Sequence, residues 1–291
     1  MSLSGSPRNV LLWHVHGSWT ESLVAGPHRY LIPVTPERDA DGLGLAGRTW
    51  PRAREVPAGE LAHQDLDLVI LQRPRDIELV TRWLGRRPGI DVPAVYVEHN
   101  APRPYAVDSV HPLAGRTDIP LVHVTEFNDL MWDNGAAPTR VIGHGIPDRG
   151  LRYTGEISRA AAMINEPVRR RRIVGADLLA PLSDYAPIDV WGIGTTDLND
   201  GAMRVDRVTG HGDVSGAAVL DAVARRRVYL HTARWTSLGL SLLEAMCAGM
   251  PVVAVASTMA PLAVPAEAGV VSADLSVLGD TLARFVEDAA A

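Results

Sequence analysis

The sequence predicts an α/β protein with two doubly wound parallel sheets, and three observations support this fold class. Short apolar runs rich in Val, Ile and Leu alternate with segments of helical periodicity along the chain. The alternation is interrupted once, by a polar segment at 147–157, and then starts again. The length of 291 residues suits two domains of ordinary size. Alternating strands and helices place helices on both faces of a parallel sheet in each half.

In the first half, apolar runs bounded by turn residues predict strands at 10–15, 30–34, 66–71, 93–97, 121–124 and 140–142. Helical patterns lie between them, beginning near Trp19 and covering 76–84 and 126–133. Ser18 and Glu21 have the spacing of a capping box for the first helix. Residues 36–64 are rich in Gly, Pro, Asp and Arg, so they are predicted to form a loop.

The second half repeats the pattern, with strands predicted at 161–164, 189–191, 228–231, 251–255 and 269–271. Its helices are predicted within 214–226 and over 240–248 and 275–289. We therefore expect an N-terminal Rossmann-like domain over 1–150 and a C-terminal one over 151–291. A ligand cleft is expected where the carboxyl ends of their strands face each other.

Charge and cysteine content exclude several classes of protein. The net charge is −6, whereas a nucleic-acid binder usually carries a basic domain, so we expect no nucleic-acid partner. The single cysteine, Cys247, excludes an intrachain disulfide and any multi-cysteine zinc site. All 28 basic residues are arginine, because the sequence contains no lysine. Lysine Schiff-base chemistry and a Walker-type phosphate loop are therefore excluded, and a bound anion must be held by arginine, backbone amides or helix termini.

Nothing in the sequence predicts a membrane-spanning or exported chain. The mean hydropathy is +0.03. No stretch approaches the roughly 18 consecutive apolar residues of a membrane span. The N-terminal segment MSLSGSPRNV lacks the basic region and apolar core of a signal peptide. We expect a cytoplasmic protein without a transmembrane segment, and the sequence predicts no oligomeric state.

The most informative segment is 229–255, YLHTARWTSLGLSLLEAMCAGMPVVAV, which has the pattern of strand, loop, helix and strand. Backbone N–H groups at the start of such a helix lack partners and lie at the positive end of the helix dipole, so they suit a diphosphate. Glu244 lies within the first two turns, where its carboxylate can accept both hydroxyls of a ribose. Ser241 and Glu244 also fit a capping box, so the residues alone leave open whether Glu244 binds a ligand or caps the helix.

This segment resembles the donor-binding motif of GT-B glycosyltransferases, specifically the retaining enzymes of glycosyltransferase family 4. The matching positions are Gly239, Leu240, Leu242, Leu243, Glu244, Ala245, Met246, Gly249, Pro251, Val252 and Val253. The resemblance implies a GT-B fold in which Glu244 binds the nucleotide ribose. The resemblance also implies that the backbone amides of Gly239, Leu240 and Ser241 bind the diphosphate. A nucleotide-diphosphate sugar is then the co-substrate, with no further cofactor and no metal.

One position departs from that family. Its members carry a first Glu eight residues before the second, and here that position is Thr236. The family's Glu contacts the donor sugar and supports developing positive charge, whereas Thr236 offers one neutral hydroxyl. A hexosyl and a deoxyhexosyl donor both stay open, since a deoxy position removes the hydroxyl that a carboxylate would hold.

Four consecutive arginines, Arg169 to Arg172, are predicted between a strand and a helix. A charge run is commonly a solvated surface, and that interpretation stays open. By resemblance, this junction carries an Arg and a Lys that clamp the donor diphosphate. Arginine can replace that lysine, because its planar guanidinium pairs with two phosphate oxygens. We predict that Arg169 and Arg172 form the clamp.

Two strand ends supply the candidate residues of the first half. His14, His16 and Gly17 lie at the end of the first predicted strand, where alternation puts both histidine rings on one face and Gly17 lets the backbone approach a ligand. By resemblance, this loop meets the acceptor or the phosphate. His99 ends another strand, at the place where family members carry a histidine near donor sugar and acceptor; a structural histidine is the alternative. Residues 122–148 resemble the family's second signature, with His144 in place of an Asn.

The sequence thus predicts a metal-independent glycosyltransferase that moves a sugar from a nucleotide-diphosphate sugar to an unidentified acceptor, with retention by analogy. The arginines and helix amides would stabilise the charge that grows on the leaving diphosphate. No DxD carboxylate pair is evident, because Asp197 and Asp200 are spaced wrongly. The alternatives are a non-catalytic nucleotide-sugar-binding protein and a GT-B sugar-nucleotide epimerase. The family usually closes with a helix that crosses back to the N-terminal domain, and no such segment is evident before EDAAA.

Overall fold

The computed structural model describes residues 6–200, 204–214 and 216–288. The chain divides between Ile146 and Pro147 into two compact units, which we call the first and the second unit. Each unit has its own parallel sheet, with apolar cores on both faces. The predicted α/β class with two Rossmann-like sheets is therefore confirmed. The predicted end of the last helix at Ala289 lies outside the described residues, as do the first five residues of the chain.

The described part of the first unit contains a seven-stranded sheet. Its strands are β1 (Asn9–Leu12), β2 (Arg29–Val34), β3 (Ala53–Pro57), β4 (Leu68–Leu71), β5 (Ala94–Glu98), β6 (Leu121–His123) and β7 (Thr139–Val141). They lie in the order β3-β2-β1-β4-β5-β6-β7, and every paired strand is parallel to its neighbour. The central strands are mostly apolar because both faces of the sheet are buried: Leu11 packs into one core, and Val10 and Leu12 pack into the other.

The helices of the first unit follow the strands β1, β4 and β6. They are α1 (Gly17–Val24), α2 (Pro74–Leu84) and α3 (Glu126–Met131), with a 3-10 turn at Ala58–His63. The chain order reverses between β1 and β4, and α1 and α2 begin directly after these two strands. Doubly wound sheets bind their ligands at the carboxyl ends of the strands beside such a reversal. The connections β1–α1 and β4–α2 are therefore the expected place for a ligand in this unit.

The second unit has a six-stranded sheet within its described residues. Its strands are β8 (Ile157–Met163), β9 (Ile188–Trp191), β10 (Val208–Gly210), β11 (Arg226–His231), β12 (Val252–Val255) and β13 (Gly269–Ser272). The order is β10-β9-β8-β11-β12-β13, again with parallel pairing throughout. The reversal here lies between β8 and β11, so the segments that follow these two strands occupy the expected ligand position.

Helices cover both faces of this second sheet. They are α4 (Pro167–Val174), α5 (Leu179–Ser183), α6 (Gly216–Ala224), α7 (Leu240–Cys247), α8 (Ala260–Ala263) and α9 (Leu275–Glu287), with 3-10 turns at Ala176–Leu178, Thr195–Leu198 and Ala266–Ala268. One core includes residues of α4, α5 and α9, and the other includes residues of α6 and α7. In the part of the chain that the structure describes, no helix has the length and apolar character needed to cross a bilayer.

The pairing of β8 with β11 contains one irregularity. Arg226 pairs with Ile157, but Val228 pairs with Ala160, so the register shifts by one residue between them. As a result, Arg226 and Val228 lie on opposite faces although they are two residues apart. The Arg226 guanidinium carbon lies 4.7 Å from the ring centroid of Trp191, which belongs to the core below α6 and α7. Val228 belongs to the core on the other face of the sheet.

The predictions for residues 36–64 and for the cap of the first helix are wrong. Residues 36–64 are not all loop, because they contain β3 and the 3-10 turn. In β3, Val56 is the one fully buried position, which gives an edge strand with little apolar pattern. The capping box at Ser18 and Glu21 is also wrong, because α1 already begins at Gly17 and its preceding residue, His16, makes no side-chain cap.

Candidate active site

Aromatic side chains surround the start of α1, directly after β1. His16 precedes the helix and Trp19 lies in its first turn. The His99 ring packs against both, with its centroid 4.4 Å from His16 and 4.6 Å from Trp19. Arg48 also reaches this point, since a Cβ on Gly17 would lie 3.2 Å from Arg48 Nη2. The structure thus brings the predicted residues Gly17 and His99 into one cluster in the first unit.

The prediction that His14 and His16 share a strand face is wrong, because β1 ends before both residues. The His14 Nδ1 lies 3.1 Å from the Gly44 carbonyl oxygen, and the His14 ring packs edge-on against Trp50 at 4.9 Å. Burial lowers the pKa of His14, so the ring is neutral near pH 7. Among the described residues, no three His, Cys, Asp or Glu side chains are grouped so as to hold a metal ion.

His99 follows β5 and is held as a neutral ring. Burial lowers its pKa well below the usual value, and the charges that His16 and His144 carry when protonated lower it further. The His99 Nε2 lies 3.0 Å from Gln72 Oε1. Gln72 directly follows β4, so this contact joins the carboxyl ends of two adjacent strands, β4 and β5.

A buried carboxylate fixes the turn that carries His99. Glu98 is 4% exposed, and its Oε1 accepts hydrogen bonds from the backbone N–H of Asn100 at 2.7 Å and from its side-chain amide at 3.1 Å. Glu98 Oε2 lies 3.2 Å from His111 Nε2. Because His111 Nδ1 accepts the N–H of Leu113, the proton of His111 is on Nε2 and is donated to Glu98. The backbone on both sides of His99 is therefore held by one carboxylate.

His144 adds an unpaired imidazole near the same cluster. Both of its ring nitrogens are buried and have no hydrogen-bond partner among the described residues. Burial lowers the pKa of His144 to about 4, with a smaller contribution from His16. A buried polar atom without a partner costs about 1–3 kcal/mol, so a ligand hydroxyl that pairs with His144 would recover part of that free energy.

In the second unit, the turn before α7 is supported by two side chains of β11. The Tyr229 hydroxyl donates a hydrogen bond to Ser241 Oγ at 2.9 Å. His231, two residues along on the same strand, approaches Gly239 so closely that a Cβ there would lie 2.7 Å from His231 Cε1. Gly239 is the residue that precedes the helix, and it has no side chain with which to cap the first amides of α7. The helix start is therefore fixed to the sheet through Ser241 and Gly239.

The alternative that the sequence left open, in which Ser241 and Glu244 form a capping box, is wrong. The helix begins at Leu240, so Ser241 is its second residue and Glu244 its fifth, whereas a capping box needs the Glu at the third position. Ser241 Oγ accepts the Tyr229 hydroxyl instead. Glu244 is half-buried and lies one turn after Leu240 on the same side of the helix. Glu244 is therefore not the capping-box partner of Ser241.

The arginine run lies inside a helix, not at a strand–helix junction as predicted. All four residues belong to α4, which is kinked at Arg171. Arg169 pairs with Glu166, with Nε 2.7 Å from Oε1, and its side chain is 70% exposed. Arg172 Nη1 lies 3.2 Å from Asp177 Oδ2, and its side chain is 75% exposed. Exposed pairs of this kind contribute little to stability, so both guanidinium groups can exchange partners.

A further arginine, Arg234, lies in the connection between β11 and α7. Its Nη1 donates to Asp177 Oδ1 at 2.6 Å, and its backbone N–H donates to the Ile173 carbonyl. Asp177 is therefore shared by Arg172 and Arg234, and the Arg234 hydrogen bond is the main reason why the pKa of Asp177 is lowered. Thr236 follows two residues after Arg234 and is half-buried. The structure thus joins Arg172 to the connection that carries Thr236.

Three residues near the candidate site, Gln72, Arg48 and Arg234, were not predicted from the sequence. Gln72 and Arg234 each lie after one of the strands where the chain order reverses, and this position is the signal that could have identified them. Arg48 lies in the segment predicted as loop, and no local pattern marks it.

Part of the second unit matches a known family by sequence. Residues 177–288 match the family model described as Glycosyl transferases group 1. No curated protein matches the sequence. Sucrose-phosphate synthase (tll1590) from Thermosynechococcus elongatus has a similar structure, with a TM-score of 0.68 and 15% identity over 97% of this chain and 90% of that one.

Two other solved structures are similar over the same extent. Anabaena Alr3699/HepE, in complex with UDP and glucose, has a TM-score of 0.66 and 16% identity, covering 96% of this chain and 89% of that one. AviGT4, a glycosyltransferase involved in avilamycin A biosynthesis, has a TM-score of 0.61 and 15% identity, covering 97% and 88%. At 15–16% sequence identity, these structural similarities establish the fold alone. The chain has the GT-B fold of two Rossmann-like domains, and its residues 177–288 match the group 1 glycosyl transferases.

Proposed function

We propose that this protein is a glycosyltransferase that binds a nucleoside-diphosphate sugar in its second unit and transfers the sugar with retention of configuration. The observation that supports this most is the start of α7, where the amides of Gly239–Ser241 lie at the N-terminus of a helix whose N-cap residue is a glycine, and Glu244 follows one turn later. This arrangement lies inside the segment that matches the group 1 glycosyl transferases. The amides bind the diphosphate, and Glu244 accepts the two ribose hydroxyls.

Arginines supply the remaining charge for the donor. Arg172 and Arg234 share the single carboxylate of Asp177, so a net positive charge remains beside the connection that leads to α7. Arg169 adds a second exposed guanidinium on α4. These cations and the helix amides stabilise the negative charge that grows on the leaving diphosphate, as preorganised donors do in other transfer reactions.

The first unit binds the acceptor in this proposal. His99 and His144 are neutral, and Trp19 offers an aromatic face beside His99. Neutral imidazoles accept and donate hydrogen bonds without requiring a charged partner. Such a surface suits an uncharged ligand that carries hydroxyl groups.

UDP is the first nucleotide to test, since the similar Anabaena protein was solved with UDP and glucose. Calorimetry would compare UDP with uridine on the wild-type protein, on Glu244→Ala and on the control Glu267→Ala, whose glutamate is exposed on a 3-10 turn of the same unit. Losing two charge-assisted hydrogen bonds to the ribose should weaken UDP binding by about 2–4 kcal/mol in Glu244→Ala. The control should bind as the wild type does.

Hydrolysis of the UDP-sugar then separates turnover from binding. If the folded wild-type protein binds no nucleoside diphosphate, the proposed function is wrong. If UDP binding is unchanged in Glu244→Ala, this carboxylate does not hold the ribose.

A further inference from the structure

We propose that Gln72 is a positioning residue for His99, which it holds with the ring proton on Nε2, so that Nδ1 is the hydrogen-bond acceptor offered to a substrate hydroxyl. The inference rests on the proposed glycosyltransferase function for the identity of that substrate. The contact between the two side chains is observed independently of it.

Gln72 is anchored at both its backbone and its side chain. The residue is 3% exposed and directly follows β4. Its backbone N–H donates to Asp76 Oδ2 at 2.9 Å, and its side-chain amide nitrogen donates to the Trp13 carbonyl oxygen at 2.7 Å. A side chain held at both ends in this way has little freedom to turn its amide.

The Trp13 carbonyl fixes which end of the amide faces His99. A carbonyl oxygen only accepts hydrogen bonds, so the amide atom beside it must be the NH₂ group. Turning the amide over would place two acceptors, Gln72 Oε1 and the Trp13 oxygen, against each other. The oxygen of Gln72 therefore faces His99 Nε2 at 3.0 Å, and only a protonated Nε2 can form that hydrogen bond.

The same contacts determine that Nδ1, the second ring nitrogen of His99, carries no proton. Burial keeps the His99 ring neutral, so the ring carries one proton, and Gln72 places it on Nε2. Nδ1 is then an acceptor with a free lone pair. Within the described residues, the bond to Gln72 is the one hydrogen bond of this ring, and its other close neighbours are the rings of His16 and Trp19.

The unprotonated Nδ1 determines which ligand groups can bind to His99. A hydroxyl can donate to Nδ1, whereas a phosphate or carboxylate oxygen would face a lone pair and be repelled. His99 thus recognises a sugar or acceptor hydroxyl and does not act as a cation for the diphosphate. Without Gln72, the proton could occupy either nitrogen, and a fraction of the molecules would present N–H where the hydroxyl must donate.

The test is the tautomer of His99 in the intact, ligand-free protein. Long-range ¹H–¹⁵N correlation spectra of protein labelled with [¹⁵N]histidine distinguish a protonated from an unprotonated ring nitrogen. The His99 signals are identified as those missing from His99→Gln. The spectra would compare wild type, Gln72→Leu and the matched control Gln64→Leu, whose amide oxygen accepts a hydrogen bond from Arg54 in the same unit.

The wild type and the control should show the proton on Nε2, and Gln72→Leu should show a mixture of tautomers. Loss of one hydrogen bond should also lower kcat/KM for sugar transfer by about 2- to 12-fold in Gln72→Leu but not in the control.

A wild-type ring protonated on Nδ1, or on both nitrogens at pH 7, would overturn the inference. So would an unchanged tautomer or an unchanged kcat/KM in folded Gln72→Leu. The wild-type spectrum decides the tautomer even if that variant does not fold. Failure of the proposed function shows separately, as absence of nucleoside-diphosphate binding to the wild type.

Discussion

Substituting Gly239 by alanine should disturb the start of α7 through one identifiable contact. Gly239 has φ −68° and ψ 119°, which alanine adopts without strain. The added Cβ, however, would lie 2.7 Å from His231 Cε1, and His231 is only 7% exposed. The ring cannot swing into solvent, so either it or the turn before the helix must move.

The magnitude follows from two opposing effects. Overpacking of a buried contact costs about 1–3 kcal/mol. Replacing glycine by alanine also restricts the unfolded chain, which stabilises the protein by about 0.4–1 kcal/mol. Gly239→Ala should therefore lower the free energy of unfolding by up to about 2.6 kcal/mol and weaken UDP binding, because the displaced amides no longer meet the diphosphate.

A double-mutant cycle with His231→Ala isolates the contact. With the ring removed, Gly239→Ala should become neutral or slightly stabilising, which corresponds to a coupling free energy of about 1–3 kcal/mol. Urea unfolding of the four proteins measures the coupling, and Gly216→Ala is the control, because nothing lies within 4 Å of its Cβ position. If Gly239→Ala destabilises equally with and without the His231 ring, the reasoning is refuted.

Replacing both Arg169 and Arg172 by alanine should weaken binding of UDP far more than binding of uridine, because the clamp acts on the phosphates; equal loss for both ligands in calorimetry would contradict this. Thr236→Glu should gain turnover on hexose donors relative to deoxyhexose donors, as measured by donor hydrolysis; no gain, together with a parent protein inactive on every deoxysugar donor, would contradict it. Burial lowers the pKa of His231 to about 4, so the unfolded chain takes up a proton first as the pH falls below about 6.5. The contribution of His231 to the free energy of unfolding is complete above pH 6.5 and declines by about 3 kcal/mol towards pH 4. In urea unfolding, His231→Gln should therefore lose less stability than the wild type between pH 6.5 and pH 4. An equal loss in both proteins would contradict the lowered pKa of His231.

Most of the fold could be predicted because its central strands are apolar on both faces. Strands β1, β4 and β12 are runs of Val, Leu and Ile or Ala that only a doubly covered parallel sheet can bury. Strand β3 was not predicted, because an edge strand needs few apolar residues and Val56 is its one fully buried position. Its formation depends on pairing with β2, which no local pattern reveals.

The candidate site could be predicted only where it is local in sequence. Gly239 and Glu244 belong to one loop and helix, so their spacing was informative. The Gln72–His99 contact joins residues 27 positions apart, and it forms only because β4 and β5 are neighbours in the sheet. The position of the arginine run was mispredicted because Pro167, at the first position of α4, starts the helix before the run begins.

The register irregularity between β8 and β11 sets the geometry of a turn that it does not touch. Beyond this irregularity, the side chains of β11 alternate so that Tyr229 lies in the core below α7, beneath Ser241. An insertion or deletion of one residue between Arg226 and Val228 would reverse that alternation. Tyr229 and His231 would then point to the opposite face, and the turn before α7 would lose its contacts although its own sequence was unchanged. The spacing at the start of β11 therefore influences the turn before α7, where we propose that the nucleotide binds. A search for related sequences should treat gaps there as changes to the candidate site.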